Sequence, residues 1–224
     1  MSEGLFTEEE HVLFTQQMRN APSFEALRTV AQSCKACPLR QGCQQVVFGV
    51  GNTTAKLMLI GEGPGADEDR IGEPFVGAAG QLLDRILHSV SFSRNTNAYI
   101  SNVIKCRPPQ NRTPTPEERE VCLPILREEF RRVRPPVVVL LGATAAQAIL
   151  DPKLSISRAR GQWQERAGVW FMPTYHPAAL LRNEAWKRDV WEDMKEVVRK
   201  YREIIASNHA PGLELGERDD TLGS

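Results

Sequence analysis

Lys56-Leu-Met-Leu-Ile-Gly61-Glu-Gly-Pro-Gly65 joins a short apolar run directly to a turn rich in glycine. The apolar run predicts a buried strand, and the three glycines and one proline predict that the chain turns where the strand ends. Bare backbone at such a turn can approach a ligand closely. Because open α/β sheets bind ligands at the carboxyl ends of their strands, this turn is a candidate site, with a tight turn that binds nothing as the alternative.

Strands and helices alternate on either side of this stretch. Apolar runs predict strands over residues 56–61, 98–103, 137–141 and 170–173. Helical periodicity and capping residues predict helices over residues 8–18, 24–33, 79–90, 116–133, 143–150 and 184–206. Such alternation favours an α/β fold, here a three-layer α/β/α sandwich with a four-stranded, mainly parallel sheet. We expect three segments: N-terminal helices in 1–33, one domain in 34–206, and a polar, disordered tail in 207–224.

The composition is that of an ordinary globular protein, with 41% hydrophobic and 25% charged residues in 224. No apolar run approaches the roughly 20 residues that span a bilayer, and residues 1–7 resemble no secretory signal, so we expect a cytoplasmic protein without membrane contact. The net charge is zero, but both ends are acidic and residues 11–206 have a net charge of +7. This distribution is compatible with a polyanionic partner and equally with scattered, solvated charge.

Five cysteines in a reducing compartment favour thiols or metal ligands over disulfides. Cys34 and Cys37 form a CxxC pair, and fifteen residues separate Cys106 from Cys122, so these four thiols can close a four-thiolate site. A set of Cys34, Cys37 and Cys43 with an open fourth ligand is also allowed by the spacing. The alternatives are small buried hydrophobes for Cys106 and Cys122, and a redox dithiol for the CxxC pair.

Three further side chains follow predicted strands or turns. His176 precedes Pro177 after the fourth strand, and a histidine there can donate a hydrogen bond to a substrate oxygen. The Asn102 amide at the end of the second strand can both donate to and accept from a base edge. Phe75, in a loop flanked by glycine and proline, can stack on a flat ligand. Each has a purely structural alternative: a loop histidine, a turn cap and a core anchor.

Taken together, these segments resemble the family 4 uracil-DNA glycosylases, the iron–sulfur branch of the uracil glycosylase superfamily. The resemblance lies in Cys34-Lys-Ala-Cys37-Pro-Leu, Val47-Phe-Gly, Gly61-Glu-Gly-Pro-Gly65, Pro74-Phe-Val-Gly77, Gly80-Gln-Leu-Leu-Asp84, Asn102-Val-Ile-Lys-Cys106-Arg-Pro-Pro109, Asn111-Arg, Pro114-Thr-Pro-Glu117, Leu141-Gly-Ala-Thr-Ala145, Arg160-Gly and Pro173-Thr-Tyr-His-Pro-Ala-Ala-Leu-Leu-Arg182. Residues 1–30 and 207–224 lie outside it.

The resemblance implies a monofunctional glycosylase for base excision repair. Such an enzyme hydrolyses the N-glycosidic bond of deoxyuridine in single- or double-stranded DNA, releases uracil and leaves an abasic site; we expect it to act as a monomer. A [4Fe–4S] cluster would be held by Cys34, Cys37, Cys106 and Cys122, with Cys43 left out. The cluster is expected to order the loop between Cys106 and Cys122 against DNA.

The resemblance also implies residue roles in the base pocket. Phe75 would stack on the extruded uracil, and the Asn102 amide would pair with its O4 and N3 edge. His176 would donate a hydrogen bond to O2, and the backbone amides of Glu62 and Gly63 would help to bind the base.

Contacts to the DNA strand are implied for four further residues. Leu180 would be the wedge that fills the gap in the duplex. Arg107, Arg112 and Arg182 would contact phosphates.

One departure concerns the water. The best-known superfamily branch has a water-activating aspartate where this chain has Gly63, so Glu62 or a neighbour such as Asp69 would have to assist electrostatically. The bulky aromatic that rejects thymine elsewhere is replaced by Gly65, which leaves exclusion of the methyl group to Glu62 or to the loop geometry.

Two other function classes compete with the glycosylase. One is a non-catalytic or covalent protein that binds uracil or abasic DNA, although the segment from Cys106 to Thr115 lacks the basic, histidine-bearing insert of the covalent branch. The other is a redox sensor built on the cluster, which requires activity or binding to change when the cluster is oxidised.

Overall fold

A computed structural model describes residues 7–205, so residues 1–6 and the predicted disordered tail of 207–224 lie outside the described residues. The helices are α1 Glu8–Asn20, α2 Phe24–Gln32, α3 Leu39–Gly42, α4 Ala66–Ile71, α5 Ala78–Ser89, α6 Pro116–Val133, α7 Ala143–Ile149, α8 Ile156–Ala159, α9 Pro177–Arg182 and α10 Trp186–Ile205. The strands are β1 Val50–Gly51, β2 Leu57–Gly61, β3 Ala98–Asn102, β4 Val137–Leu141, β5 Gln164–Arg166 and β6 Val169–Thr174. All six predicted helices and all four predicted strands are confirmed to within three residues at each end.

The four predicted strands form the parallel centre of one sheet, in the order β3-β2-β4-β6. All residues of β2, β3 and β4 are buried, as expected for strands that are covered on both faces. The predicted count of four strands is too low, because β1 and β5 add short antiparallel edges beside β3 and β6. These edges have two and three residues, too few for a periodic signal.

Alternate residues of the central strands enter two separate hydrophobic cores. Met58 and Ile60 pack into a core with α1, α2 and α6, whereas Leu57 and Leu59 face the core beneath α5 and α10. This division confirms the three-layer α/β/α architecture. The N-terminal helices contribute to the first core and are fastened at the end of α1 by α6, where Arg132 donates to the Ala21 carbonyl at 2.6 Å.

Helix α6 begins as its sequence predicts. The Thr115 hydroxyl accepts from the Glu118 amide at 3.2 Å, and the Glu118 carboxylate accepts from the Thr115 amide at 2.9 Å. Pro116 occupies the first helical position, where its missing N–H leaves no internal bond unmade. The same carboxylate accepts from Nη1 and Nη2 of Arg112, so the cap also fixes the loop that enters the helix.

Candidate active site

The carboxyl ends of the parallel strands open into a cleft of about 620 Å³. Residues after β2, β4 and β6 line it together because the strands run in one direction. The lining includes Glu62, Gly63, Phe75, Thr144, His176 and Arg182. The glycine-rich turn after β2 is therefore part of a concave site.

His176 lies at the start of α9 and lines this cleft. Its Nδ1 accepts a hydrogen bond from the Ala178 amide at 3.1 Å, which assigns the proton of the neutral ring to Nε2. Burial, together with the positive charge of Arg182, lowers the pKa of His176 to about 4. Near pH 7 the ring is a neutral hydrogen-bond donor.

Phe75, from the loop after α4, and Asn102, at the end of β3, both pack against Gly61, the last residue of β2. The Phe75 ring lines the cleft and stacks on His176 with centroids 5.4 Å apart. A Cβ added to Gly61 would lie 2.5 Å from both Asn102 Oδ1 and Phe75 Cζ, so both side chains pack against this glycine. Asn102 is buried just outside the cleft lining, and its Oδ1 accepts no hydrogen bond from residues 7–205. A buried amide oxygen that accepts no hydrogen bond is costly. A ligand that offers an N–H donor to Asn102 Oδ1 would remove that cost.

Glu62 is fixed by a residue that the sequence reasoning missed. The Thr144 hydroxyl, in the first turn of α7, donates to Glu62 Oε2 at 2.5 Å. Thr144 is buried and lines the cleft, so one carboxylate oxygen is held in place there. The available signal was its position just after β4, at the same edge of the sheet as Glu62.

Two neighbouring carboxylates have structural partners. Asp69 is 3% exposed, accepts from the Gln44 amide at 2.9 Å and does not line the cleft, so the structure holds it against backbone and brings only Glu62 of the two suggested carboxylates into the lining. Glu68 accepts from the amides of Val76 and Gly77 at 3.0 and 2.9 Å and thereby fastens the Phe75 loop.

Gly63 has a packing reason to lack a side chain. A Cβ there would lie 2.5 Å from Cγ1 and 2.8 Å from Cδ1 of Ile104, which is fully buried. An aspartate at position 63 would therefore require Ile104 to move. The packing of Ile104 against this turn therefore explains why position 63 lacks a water-activating carboxylate.

The residue predicted as the wedge is buried. Leu180 is 1% exposed and belongs to the core beneath α5 and α10, so it cannot enter a duplex without unpacking. Leu181 is 48% exposed on the other side of α9. A helix of six residues is too short for its hydrophobic pattern to show which of the two leucines faces the core.

The three candidate phosphate contacts differ in their surroundings. Arg182 is exposed and lines the cleft. Arg112 lines it too, but its guanidinium is bound to Glu118 at 2.6 Å. Arg107 is not in the lining and donates from Nε to Asn111 Oδ1 at 2.8 Å. The structure thus brings Arg182 and Arg112 to the cleft and leaves Arg107 beside it.

Four cysteines gather away from the cleft, where the loop after α2, the end of β3 and α6 meet. Cys34, Cys37, Cys106 and Cys122 all line one small cavity. Burial raises the pKa of the Cys34 and Cys37 thiols, and raises that of Cys122 to about 12. Within residues 7–205, no group of three or more His, Cys, Asp or Glu side chains is arranged to hold a single metal ion.

Cys43 lies outside the lining of that cavity. A hydrogen bond with the Cys106 side chain lowers the pKa of Cys43 to about 7, and the same bond raises the pKa of Cys106. Its thiol also donates to the Arg40 carbonyl at 3.7 Å. Cys43 is thus a neighbour of the four-cysteine cluster.

A fully buried ion pair connects this cluster to Asn102. Lys105 Nζ lies 2.6 Å from Glu129 Oε2 and donates to the Asn102 carbonyl at 2.9 Å, while the Lys105 amide donates to Cys122 Sγ at 3.3 Å. Sequence reasoning missed Glu129, because a glutamate within a charged helix is usually solvated.

Among residues 7–205, none of the helices combines the length and the apolar character that crossing a bilayer requires.

Comparison with known proteins gives a family for the chain. A model described as the uracil DNA glycosylase superfamily matches residues 48–195. A type-4 uracil-DNA glycosylase from Thermotoga maritima is 44% identical over 171 residues, which cover 74% of this chain and 88% of the relative. Proteins with the same name from Archaeoglobus fulgidus and Pyrobaculum aerophilum are 42% and 38% identical, over 74% and 76% of this chain and 86% and 90% of the relatives.

Proposed function

Since the chain belongs to the uracil-DNA glycosylase superfamily and is a type-4 uracil-DNA glycosylase, we propose that it releases uracil in the cleft at the carboxyl ends of β2, β3, β4 and β6. The enzyme acts in DNA repair and hydrolyses the N-glycosidic bond of deoxyuridine. One observation supports this location most strongly: Phe75 and His176 line the cleft and stack on each other, and Asn102 packs against Gly61 beside Phe75, so three side chains suited to a flat base with polar edges lie together.

Recognition of uracil is assigned to Asn102 and Phe75. The Asn102 Oδ1 accepts the uracil N3–H, and its amide nitrogen donates to O4, so the unpartnered buried oxygen gains its hydrogen bond. Cytosine presents an acceptor at N3 and a donor at N4, so it would leave buried groups unpaired. Phe75 stacks on the extruded ring, which offsets part of the few kcal/mol that unstacking from the duplex costs.

Cleavage of the glycosidic bond sends negative charge to uracil O2 and positive charge to the sugar. His176 donates from Nε2 to O2 as that charge develops, since its Nδ1 is occupied by the Ala178 amide. A neutral donor keeps its proton and stabilises the anionic leaving group through the hydrogen bond. A preorganised donor of this kind contributes about 3 to 4 kcal/mol to the transition state.

Water addition is assigned to the neighbourhood of Glu62. Thr144 holds Oε2 of the carboxylate, which leaves Oε1 to accept a hydrogen bond from water and to place negative charge near the sugar cation. The bond to uracil is largely broken when water adds, so the water needs positioning more than deprotonation. Packing of Ile104 against Gly63 keeps a second carboxylate out of this turn.

Binding of the DNA strand is assigned to the rim of the cleft. Arg182 contacts phosphates, and Arg112 does so with the guanidinium edge that Glu118 leaves free. Leu181 replaces Leu180 as the wedge that fills the space of the extruded base, because Leu181 alone of the pair is exposed. Arg107 orders the adjoining loop through Asn111.

A [4Fe–4S] cluster is assigned to Cys34, Cys37, Cys106 and Cys122. Four thiols on one cavity are the donor set that such clusters use, and the backbone donor at Cys122 Sγ suits a thiolate ligand. The raised thiol pKa values mean that four thiolates would not coexist there without the positive charge of iron. When bound, the cluster supplies covalent cross-links between the loop after α2, the end of β3 and α6.

The cluster proposal is tested by spectroscopy on anaerobically purified protein. We expect a broad absorption near about 400 nm and about four iron atoms per chain. Cys122→Ser should lose both, whereas the matched control Cys43→Ser should keep them. Full iron content in Cys122→Ser, or its loss in Cys43→Ser, would assign the ligands differently.

The location of uracil release is tested by cleavage of an oligonucleotide that contains one uracil. Incubation followed by hot alkali should break the strand at uracil and leave matched strands with thymine or cytosine intact. A triple variant at Phe75, Asn102 and His176 should be inactive although folded. An adduct that survives denaturing electrophoresis would instead support covalent capture, and an active triple variant would move the site elsewhere.

A further inference from the structure

The backbone of Phe75 adopts a conformation that a bulky residue avoids. Its φ is +56°, in the left-handed region. A Cβ and an aromatic ring make this region unfavourable, so the conformation persists only where the surroundings enforce it. Strained residues cluster at functional sites, and the ring of Phe75 lines the cleft beside His176. The contacts that hold the Phe75 backbone therefore bear on the geometry of the site.

Arg94 supplies the first part of that hold, from the segment between α5 and β3. Its Nη1 donates to the Pro74 carbonyl at 2.8 Å and its Nη2 to the Phe75 carbonyl at 2.6 Å. Its Nε donates to Asp84 Oδ1 on α5 at 2.9 Å, which fixes the plane of the guanidinium. The Arg94 side chain is only 14% exposed, so these bonds are screened far less than those of a surface arginine.

Glu68, on α4, supplies the second part. Its Oε1 accepts from the amides of Val76 and Gly77, and its Oε2 accepts from the Gly65 amide at 3.0 Å. Arg94 thus binds the two carbonyls of residues 74 and 75, while Glu68 binds the next two amides. The left-handed residue lies between a cationic and an anionic side chain, each of which makes charge-assisted hydrogen bonds to backbone.

We propose that Arg94 is a positioning residue for catalysis, which together with Glu68 holds Phe75 in its left-handed conformation so that the ring is ready to stack on the extruded base. The proposal rests on the proposed stacking role of Phe75. Arg94 itself does not line the cleft and acts only through the loop backbone. No sequence motif indicated this role, because Arg94 lies nineteen positions after Phe75 in the sequence and meets that loop only in the folded structure.

Loss of the guanidinium would release the Pro74 and Phe75 carbonyls and allow the loop to relax toward negative φ. That change would move the ring away from Gly61 and His176, against which it now packs. A displacement of about 1 Å in a positioning element can cost about 100-fold in rate. Lysine would keep the charge, but its ammonium lacks the planar fork that reaches two carbonyls and a carboxylate at once.

The experiment measures single-turnover uracil release and inhibition by free uracil in Arg94→Met, Arg94→Lys, Phe75→Ala and the double variant Arg94→Met/Phe75→Ala. Arg85→Met is the matched control, since Arg85 is exposed on α5 and makes none of these loop contacts. Thermal unfolding is followed for every variant, and rates are measured well below the lowest melting temperature.

We expect Arg94→Met to release uracil about 10- to 100-fold more slowly and to be inhibited less by free uracil, with Arg94→Lys at least about fivefold slower than wild type. Arg85→Met should match wild type. In the Phe75→Ala background, Arg94→Met should change the rate by less than about twofold, because its effect passes through the ring.

A wild-type rate in folded Arg94→Met, an effect on DNA affinity alone, or additive losses in the double variant would overturn the positioning role. If Arg94→Met does not fold, Arg94→Lys decides, and a wild-type rate there would overturn it. A wild-type rate in Phe75→Ala would instead remove the stacking role on which the inference rests, so the two failures can be told apart.

Discussion

Replacement of His176 by alanine tests whether a neutral imidazole drives departure of the base. The variant loses the Nε2 donor to uracil O2 while the rest of the cleft keeps its fold. Loss of one preorganised donor to a developing anion costs about 3 to 4 kcal/mol, which is a decrease of about 10²- to 10³-fold in single-turnover rate. His88→Ala, at an exposed position on α5, is the matched control and should keep the wild-type rate.

The pH dependence of the same reaction tests the protonation state. With a pKa of about 4, His176 is neutral throughout the range from pH 5 to pH 8, so its ionisation adds no step to the rate profile there. An imidazolium mechanism would instead lose activity as the pH rises through about 6.5, the ordinary histidine value. A wild-type profile that falls near pH 6.5, with that fall absent in His176→Ala, would refute the assignment of a neutral donor.

The depressed pKa also makes stability depend on pH with a definite sign. Between about pH 6.5 and pH 4 the unfolded chain binds a proton at His176 that the folded chain does not, so the free energy of unfolding decreases as the pH falls. A pKa shift from 6.5 to about 4 corresponds to about 3 kcal/mol of unfolding free energy. This stability is fully present above pH 6.5 and fully lost below pH 4. Urea unfolding at pH 7.5 and pH 4.5 should show a smaller decrease in His176→Ala than in wild type. Equal decreases would contradict the low pKa.

Three further substitutions test other residues of the site. Asn102→Asp should slow uracil release by about 10- to 100-fold and allow cytosine release. A buried, protonated carboxyl accepts from cytosine N4 and donates to N3, so strands that remain intact at cytosine after alkali would contradict this. Thr144→Val should slow uracil release about tenfold by freeing Glu62, with Thr144→Ser restoring it, and equal rates in both variants would remove the role of the hydroxyl. Leu181→Ala should leave the free energy of unfolding within about 0.5 kcal/mol and slow release from duplex more than from single strands, whereas Leu180→Ala should cost about 2 to 5 kcal/mol in chemical denaturation; the reverse pattern would restore Leu180 as the wedge.

The parallel core of the fold was predictable because its strands are apolar on both faces. The run at 57–61 is apolar up to its terminal glycine and the run at 137–141 is wholly apolar, and no helical period fits so short a segment between turns. The edge strands lacked such a signal. Val50–Gly51 is two residues long, and Gln164–Arg166 is polar throughout, so only pairing with their neighbours makes them strands.

The predicted site followed from one topological rule, and its limits follow from packing. Strands that run in one direction bring Glu62, Asn102 and His176 to the same edge, wherever they lie in the sequence. The contacts that orient them depend on side-chain directions that the sequence does not encode locally. Leu180 and Leu181 differ only in which face of a short helix meets the core, and the left-handed backbone of Phe75 is imposed by distant charged side chains.

A crystal structure of the enzyme with uracil and abasic DNA tests most directly whether Phe75, Asn102 and His176 surround the released base. We expect uracil to lie on the Phe75 ring, with N3 and O4 within hydrogen-bond distance of the Asn102 amide and O2 within reach of His176 Nε2. Uracil bound in the cleft without a contact to Asn102, or bound outside the cleft, would contradict this arrangement.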